Sequence, residues 1–265
     1  MATNIIAIAN QKGGVGKTTT AINTAHYLAM AGKSVLIVDL DPQGNTTSGM
    51  GLDKHNLDKD LYHALHDFSV THQILKTTPY NVSILPASPV LAAAEVELVN
   101  LDSREYRLKS VLNQLDFDYV LIDCPPSLGL LTINGLSAAE HVLIPVQAEY
   151  FALEGLGQLL QTIEMVKKGL NPNLDLLGVV LTMHAGRTTL SNQVHDEVHK
   201  HFPGQVFDEF IPRNVRLAEA PSYGQPIHLY DKRSKGAKAY KKFSKELMKR
   251  VDSKNKEGGK KNGGK

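Results

Sequence analysis

Cysteine is almost missing: Cys124 is the only one in 265 residues. A single thiol excludes an intramolecular disulfide and any cysteine cage for a metal or an iron–sulfur cluster, and it suits a reducing cytoplasm. Long apolar runs are missing too. Hydrophobic residues form 42% of the chain, enough for a globular core. No stretch approaches the roughly 20 residues that span a bilayer, and the short N-terminal run Ile5–Ala9 does not read as a signal peptide. Bulk charge of one sign is also lacking. The net is +2, and from Asp252 onward five lysines stand against two acids, so the rest of the chain is close to neutral. Nucleic-acid binding by the folded body would need a local patch. There is no internal repeat. Histidine is present at eleven positions but scattered; His195 and His199 form the one helical i, i+4 pair, with no third metal ligand evident, and read as solvent-facing.

What is there alternates. Apolar β-type runs at Ile5–Ala9, Ser34–Asp39, Val82–Pro86, Tyr119–Asp123, His141–Val146, Leu176–Thr182 and Val206–Ile211 are separated by helical patterns at 18–31, 104–115, 153–168, 188–201 and 236–250. Short continuous apolar strands between helices predict an α/β fold, a mostly parallel twisted sheet with helices on both faces. Ligands in such folds sit at the carboxyl ends of the strands. Residues 1–251 read as one domain. Residues 42–60 read as loop, and the tail 252–265, without an apolar residue after Val251, reads as disordered and basic.

The first strand runs into Lys12-Gly13-Gly14-Val15-Gly16-Lys17-Thr18, and a helical pattern follows. Strand, glycine loop and helix make a phosphate cradle: glycines let several N–H groups turn toward an anion, and the helix N-terminus adds partial positive charge. Lys17 would reach the β/γ-phosphates and the Thr18 hydroxyl would ligate Mg²⁺. The usual glycine at the head of such a loop is replaced by Gln11, with a second lysine, Lys12, beside it. The second strand ends in Asp39-Leu40-Asp41-Pro42-Gln43-Gly44-Asn45, two carboxylates at period two on one side of an extended chain. Alone they could equally cap a turn. The strand Tyr119–Ile122 ends at Asp123, followed by Cys124-Pro125-Pro126-Ser127. An aspartate after a buried hydrophobic strand is the arrangement that holds Mg²⁺ beside a triphosphate. Cys124 reads as a small core residue.

These boxes, with Glu149-Tyr150-Phe151-Ala152-Leu153-Glu154-Gly155 and the run from Ile211 to Ser222, resemble the ParA/Soj partitioning ATPases of the ParA/MinD superfamily, whose loop is a deviant Walker A box. The resemblance covers nearly the whole chain. It implies ATP and Mg²⁺ as cofactors, bound by Lys12, Gly13, Gly14, Val15, Gly16, Lys17, Thr18 and Thr19, with Pro212 as a wall of the adenine slot and Asn214 reading the base. It implies that Lys12 acts across a nucleotide-sandwich homodimer, that Asp41 orients the attacking water, and that Asp39 supports the metal held by Thr18 and Asp123. Arg187 and Arg216 match residues that contact DNA phosphates. Independently, Lys238, Lys241, Lys242, Lys245 and Lys249 share one helix face and Tyr240, Phe243 and Leu247 the other, which adds Lys242 and Lys245 as candidate DNA contacts.

The implied function is an ATP-dependent chromosome or plasmid partitioning ATPase. Its ATP-bound dimer would bind double-stranded DNA without sequence preference and leave it on hydrolysis stimulated by a ParB/Spo0J-type partner, in the cytoplasm on the nucleoid. The phosphate loop starts near residue 11, which leaves no expected room for an N-terminal helix-turn-helix. A MinD-like membrane-cycling ATPase needs an amphipathic anchor that the Lys/Gly/Asn tail does not supply, so no membrane partner is expected. An ATPase positioning another cargo by the same dimer, and a metabolic P-loop enzyme, are the remaining alternatives.

Overall fold

Alternation along the central strands decides the architecture. Ala7, Leu36, Val38, Val120 and Ile122 join one buried cluster, whereas Ile6, Ile8, Val35, Ile37 and Leu121 join another. Neighbouring side chains of a strand point to opposite faces, so both faces of the sheet are covered. The computed structural model describes residues 3–149, 156–185 and 189–262. Its strands are β1 (Asn4–Ile8), β2 (Val35–Asp39), β3 (Lys76–Thr77), β4 (Ser83–Leu85), β5 (Tyr119–Asp123), β6 (His141–Gln147) and β7 (Asp175–Thr182). The helices are α1 (Lys17–Met30), α2 (Asn45–Gly49), α3 (Leu61–His66), α4 (Thr71–Ile74), α5 (Ala94–Glu97), α6 (Arg107–Leu112), α7 (Leu130–Ala138), α8 (Leu156–Gly169), α9 (Thr189–His201), α10 (Val215–Glu219), α11 (Ile227–Asp231) and α12 (Lys235–Asn262).

The sheet order is β3-β4-β2-β5-β1-β6-β7, parallel throughout except for the antiparallel edge strand β3. This is the mostly parallel, helix-covered sheet that the alternation predicts. One face carries α1, α11 and α12 through Ile22, Leu28, Ile227, Phe243 and Leu247; the other carries Leu65, Leu108, Leu136, Leu159 and Val198. Each such fully buried aliphatic side chain contributes about 1.5–3 kcal/mol. What the fold does for the site is set by β5. It lies between β1 and β2 and pairs Asp123 with Ile8 on one side and Asp39 on the other, so the phosphate loop and both strand-end carboxylates meet at one edge.

The structure departs from the sequence reading in four places. The run 206–211 is not a continuous strand. Phe207 N–H and Ile211 N–H donate to Val179 and Leu181 carbonyls of β7, both at 2.8 Å, but only isolated bridges form. Between them the Asp208 and Glu209 N–H groups turn to the Glu246 carboxylate on α12, at 3.0 and 3.2 Å, which breaks the ladder. Within the expected loop 42–60 lies the short helix α2. Helix α7 gives no sequence signal because Leu131, Thr132 and Asn134–Ala138 are all buried, and a helix buried around its whole circumference has no apolar period to read. The last helix does not stop before 252 but continues to Asn262. Lys254 pairs with Asp175 and the Asn255 amide donates to Asn4 Oδ1 at 2.9 Å, so side-chain contacts with the strand starts hold a segment that has no apolar residue to dock.

A histidine cluster holds α1 against α11. His26 is buried with neither ring nitrogen hydrogen-bonded among the described residues, and its ring lies 5.6 Å from that of His228. Burial, with the neighbouring His228, lowers its pKa from the usual 6.5 to about 4. Between pH 4 and 6.5 the unfolded chain binds a proton that the folded chain refuses, so this contribution is complete above pH 6.5 and is lost as pH falls toward 4. His26→Phe should remove it. Thermal melts at pH 7 and pH 4.5 should show wild type losing more stability on acidification than the variant; equal losses would mean that His26 is not held neutral.

Candidate nucleotide-binding site

The loop from β1 to α1 is held open by its own side chains. Asn10 Nδ2 donates to the Pro145 carbonyl at 2.7 Å, and Asn10 Oδ1 accepts the Lys12 N–H at 2.9 Å. Gly14 (φ 74°) and Gly16 (φ 90°) occupy the left-handed region, which side chains resist. Gly16 also stands at the N-cap of α1 with no side chain to bond it, so the N–H groups of the first turn are left for an anion. On the far side the Thr182 hydroxyl donates to the Val15 carbonyl at 2.8 Å, both groups buried.

The two loop lysines have opposite environments. Lys17 is 6% exposed, its Nζ donating to the Lys12 carbonyl at 3.3 Å. Burial lowers its pKa, and the charge of Asp123 is the largest opposing influence. Lys12 is exposed at the loop mouth, as are Gly13 and Gly14; Val15 is buried, and Thr18 and Thr19 are half-buried at the start of α1.

Behind Lys17 stand three buried carboxylates. Asp39 Oδ2 accepts both the N–H and the hydroxyl of Thr47 at 2.7 Å, and Oδ1 accepts the Asp41 N–H at 3.4 Å. Burial, and then the neighbouring Asp123 charge, push the Asp39 pKa up to about 8. Asp123 Oδ2 accepts the Thr18 and Thr46 hydroxyls, each at 2.7 Å. Its Oδ1 is buried without a hydrogen bond among the described residues. Burial raises Asp123 to about 6 against the opposing pull of Thr18, Thr46 and Lys17. Asp41 is 8% exposed; Oδ1 accepts the Gln43 N–H at 2.9 Å and Oδ2 accepts no hydrogen bond among the described residues. An orphaned carboxylate oxygen among hydroxyls and further carboxylates, in a set without sulfur or imidazole ligands, fits a hard divalent cation such as Mg²⁺. Among the described residues no group of three or more His, Cys, Asp or Glu could hold a metal by itself. Cys124 is buried, its thiol pushed up by burial, and packs as core.

A cavity of about 340 Å³ opens beside the loop, lined among others by Gly16, Thr19, Pro212, Asn214, Val215 and Tyr240. Its size lies within the range of small-molecule sites. Asn214 Oδ1 caps α10 by accepting the Arg216 N–H at 2.9 Å. Of the basic candidates, Arg216 pairs with Glu219 at 2.9 Å and lies 3.8 Å from Asp231. Lys242 lies 3.3 Å from Glu209, whereas Lys245 is exposed without an ion pair among the described residues. Arg187 and residues 150–155 lie outside the described residues. Asn10, Thr46, Thr47 and Thr182 are the polar residues that sequence reasoning missed. Thr46 and Thr47 directly follow the D-x-D-P-Q-x-N box, which is a usable signal. Thr182 lies 167 residues from Val15, and nothing local marks it.

The AAA domain family matches residues 3–176. The chain is 55% identical over 246 residues to the Bacillus subtilis (strain 168) sporulation initiation inhibitor protein Soj, covering 92% of this chain and 97% of that protein. It is 53% identical over 249 residues to the Myxococcus xanthus chromosome partitioning protein ParA, covering 93% and 88%. The chain belongs to the ParA/Soj family of P-loop ATPases. The solved structure of the Mycobacterium smegmatis cobyrinic acid a,c-diamide synthase with bound ADP and magnesium superposes with a TM-score of 0.85 at 40% identity over 95% of this chain and 96% of that one. As a ParA/Soj protein this chain is an ATP-hydrolysing enzyme of the class that includes the chromosome-partitioning ATPases.

Thr182→Val should leave the Val15 carbonyl buried and unpaired, at a cost on the order of 1 kcal/mol to the loop's cradle geometry. Isothermal titration with ATP and Mg²⁺ should show affinity weakened about fivefold; unchanged affinity would mean that Thr182 does not support the loop.

Proposed function

We propose that this ParA/Soj ATPase uses ATP and Mg²⁺ to pair two copies into a DNA-binding dimer that hydrolysis dissolves. The observation that carries this reading is the division between the lysines. Lys17 is buried against the carboxylates of its own site, while Lys12 projects into solvent from the mouth of the same loop, where a second copy would meet the phosphates. Lys17 and the α1 N-terminus bind the β/γ-phosphates. Thr18 and Asp123, with Asp39 behind them, hold Mg²⁺, which neutralises phosphate charge. Asp41, the carboxylate with a free oxygen and contact with solvent, orients the attacking water. The cavity by Pro212 and Asn214 takes the adenine.

DNA binding follows from valence. The exposed face of α12 presents Lys238, Lys241, Lys242, Lys245 and Lys249, while Tyr240, Phe243 and Leu247 are buried. Arg216, on α10, and Arg187 are the further contacts in this reading. With a net charge of +2, one copy makes few phosphate contacts, and pairing two patches raises the affinity without any new contact type. The cycle runs in the cytoplasm on the nucleoid, with a ParB/Spo0J-type partner accelerating hydrolysis. Among the described residues no helix is long and apolar enough to cross a membrane. The synthase name of the Mycobacterium smegmatis relative prompts a second reading, a small-molecule synthetase. Product analysis separates the two: partitioning ATPase turnover is DNA-stimulated and yields only ADP and phosphate.

Two substitutions test the cycle. Lys12→Ala should still bind ATP but stay monomeric in sizing chromatography, and a normal ATP-dependent dimer would refute the cross-dimer role. Asp41→Ala should lose ~10²–10⁴-fold in hydrolysis and persist as an ATP-bound dimer on DNA; near-normal turnover would move the water-orienting role to Asp39. For DNA, salt titrations on two unrelated duplexes should show ATP-dependent affinity, equal for both sequences. Arg187→Ala and Arg216→Ala should each flatten the slope of log K on log[salt] by roughly one per contact removed. Unchanged slopes in both would shift the surface to α12, and binding without ATP would sink the dimer-gated reading.

A further inference from the structure

Glu95, on α5, reaches across to the start of α7. Its Oε2 accepts the Leu130 N–H at 2.8 Å and its Oε1 the Leu131 N–H at 3.3 Å. Helix α7 has no cap of its own. Gly129 stands at its N-cap, and a Cβ there would lie 2.7 Å from both Glu95 oxygens. Glycine at 129 therefore admits the carboxylate, and Glu95 satisfies the open N–H groups of a helix 35 residues away in sequence.

Helix α7 begins where the loop after Asp123 ends. The Thr132 hydroxyl donates to the Ser127 carbonyl at 2.7 Å and so ties that loop to the first turn. One turn on, a Cβ at Gly135 would lie 3.0 Å from Cys124 Sγ and 3.1 Å from Leu40 Cδ2. Leu40 separates Asp39 from Asp41, and Cys124 follows Asp123, so α7 packs closely on side chains of the two segments that carry all three carboxylates. The segment that bears Glu95 is tied to the same site upstream. The Ala87 N–H donates to Thr47 Oγ1 at 2.9 Å, and that hydroxyl donates to Asp39.

We propose that Glu95 is a positioning residue for ATP hydrolysis: it clamps the N-terminus of α7 and thereby fixes the 124–129 loop and the separation of Asp41 from Asp123. The proposal rests on the ATPase reading of the site. Glu95 acts on turnover rather than on nucleotide affinity, because the phosphate loop is held separately by Asn10 and Thr182.

The test uses the full chain with Glu95→Ala, Glu95→Gln and Gly129→Ala. Four quantities are measured: steady-state ATPase with DNA, affinity for a fluorescent ATP analogue with Mg²⁺, amide exchange, and thermal melting. Glu95→Ala should lower kcat on the order of 10-fold, within the ~10²-fold that a small misplacement of reacting groups can cost, with nucleotide affinity unchanged and faster exchange across 124–131. Glu95→Gln keeps one acceptor oxygen and should retain an intermediate kcat. Gly129→Ala, which pushes the carboxylate away, should reproduce the alanine phenotype, and the double variant should be no worse than either single one. A wild-type kcat in Glu95→Ala alongside deprotected α7 amides would overturn the proposal. So would a loss of nucleotide affinity equal to the loss in kcat/KM, or a lowered melting temperature with unchanged turnover per folded molecule. Absence of turnover in wild type would instead refute the ATPase reading beneath it.

Discussion

Four groups that water would solvate better are buried together at one end of the sheet: Lys17, Asp39, Asp41 and Asp123. Burial raises Asp39 to about 8, with the Asp123 charge adding to it, and raises Asp123 to about 6 against Thr18, Thr46 and Lys17. Threonine hydroxyls from two different segments are recruited to the oxygens, Thr46 and Thr47 from α2 and Thr18 from α1. Among the described residues one oxygen of Asp123 still goes without a partner, and the strands that carry these carboxylates are fixed by register in the middle of the sheet.

The same crowding links distant segments. Helix α2 is held by the carboxylates it serves, so the end of β2 and the turn after it respond to whatever occupies Asp39 and Asp123. Helix α7 packs on the Leu40 and Cys124 side chains, next to those carboxylates in sequence, and is held in turn by Glu95. The site is therefore bounded by α2 and α7 on its carboxylate side and by Asn10 and Thr182 on its loop side.

The sequence determined a good deal by itself. Glycines at 14 and 16, a lysine at 17 and aspartates at strand ends follow from local chemistry, because phosphate binding needs backbone freedom and strand-end placement that show in neighbouring residues. The parallel sheet was legible for a similar reason: its strands are short unbroken apolar runs, and their helices repeat between them. The amphipathic face of α12 was legible through its spacing of lysines against Tyr240, Phe243 and Leu247.

Tertiary structure decided what has no local signature. Helix α7 is buried all round, so no period betrays it. The run 206–211 has strand composition, yet Glu246 on a helix 37 residues away takes the N–H groups that a ladder would use. The tail beyond 252 lacks apolar residues, yet its helix is held by Asp175 and Asn4. Thr182 meets Val15 and Glu95 meets Leu130 only because the sheet order and the helix layer bring them together. A single hydrogen bond between residues far apart in sequence leaves no pattern in either neighbourhood, and that is the physical limit on what this chain states before it folds.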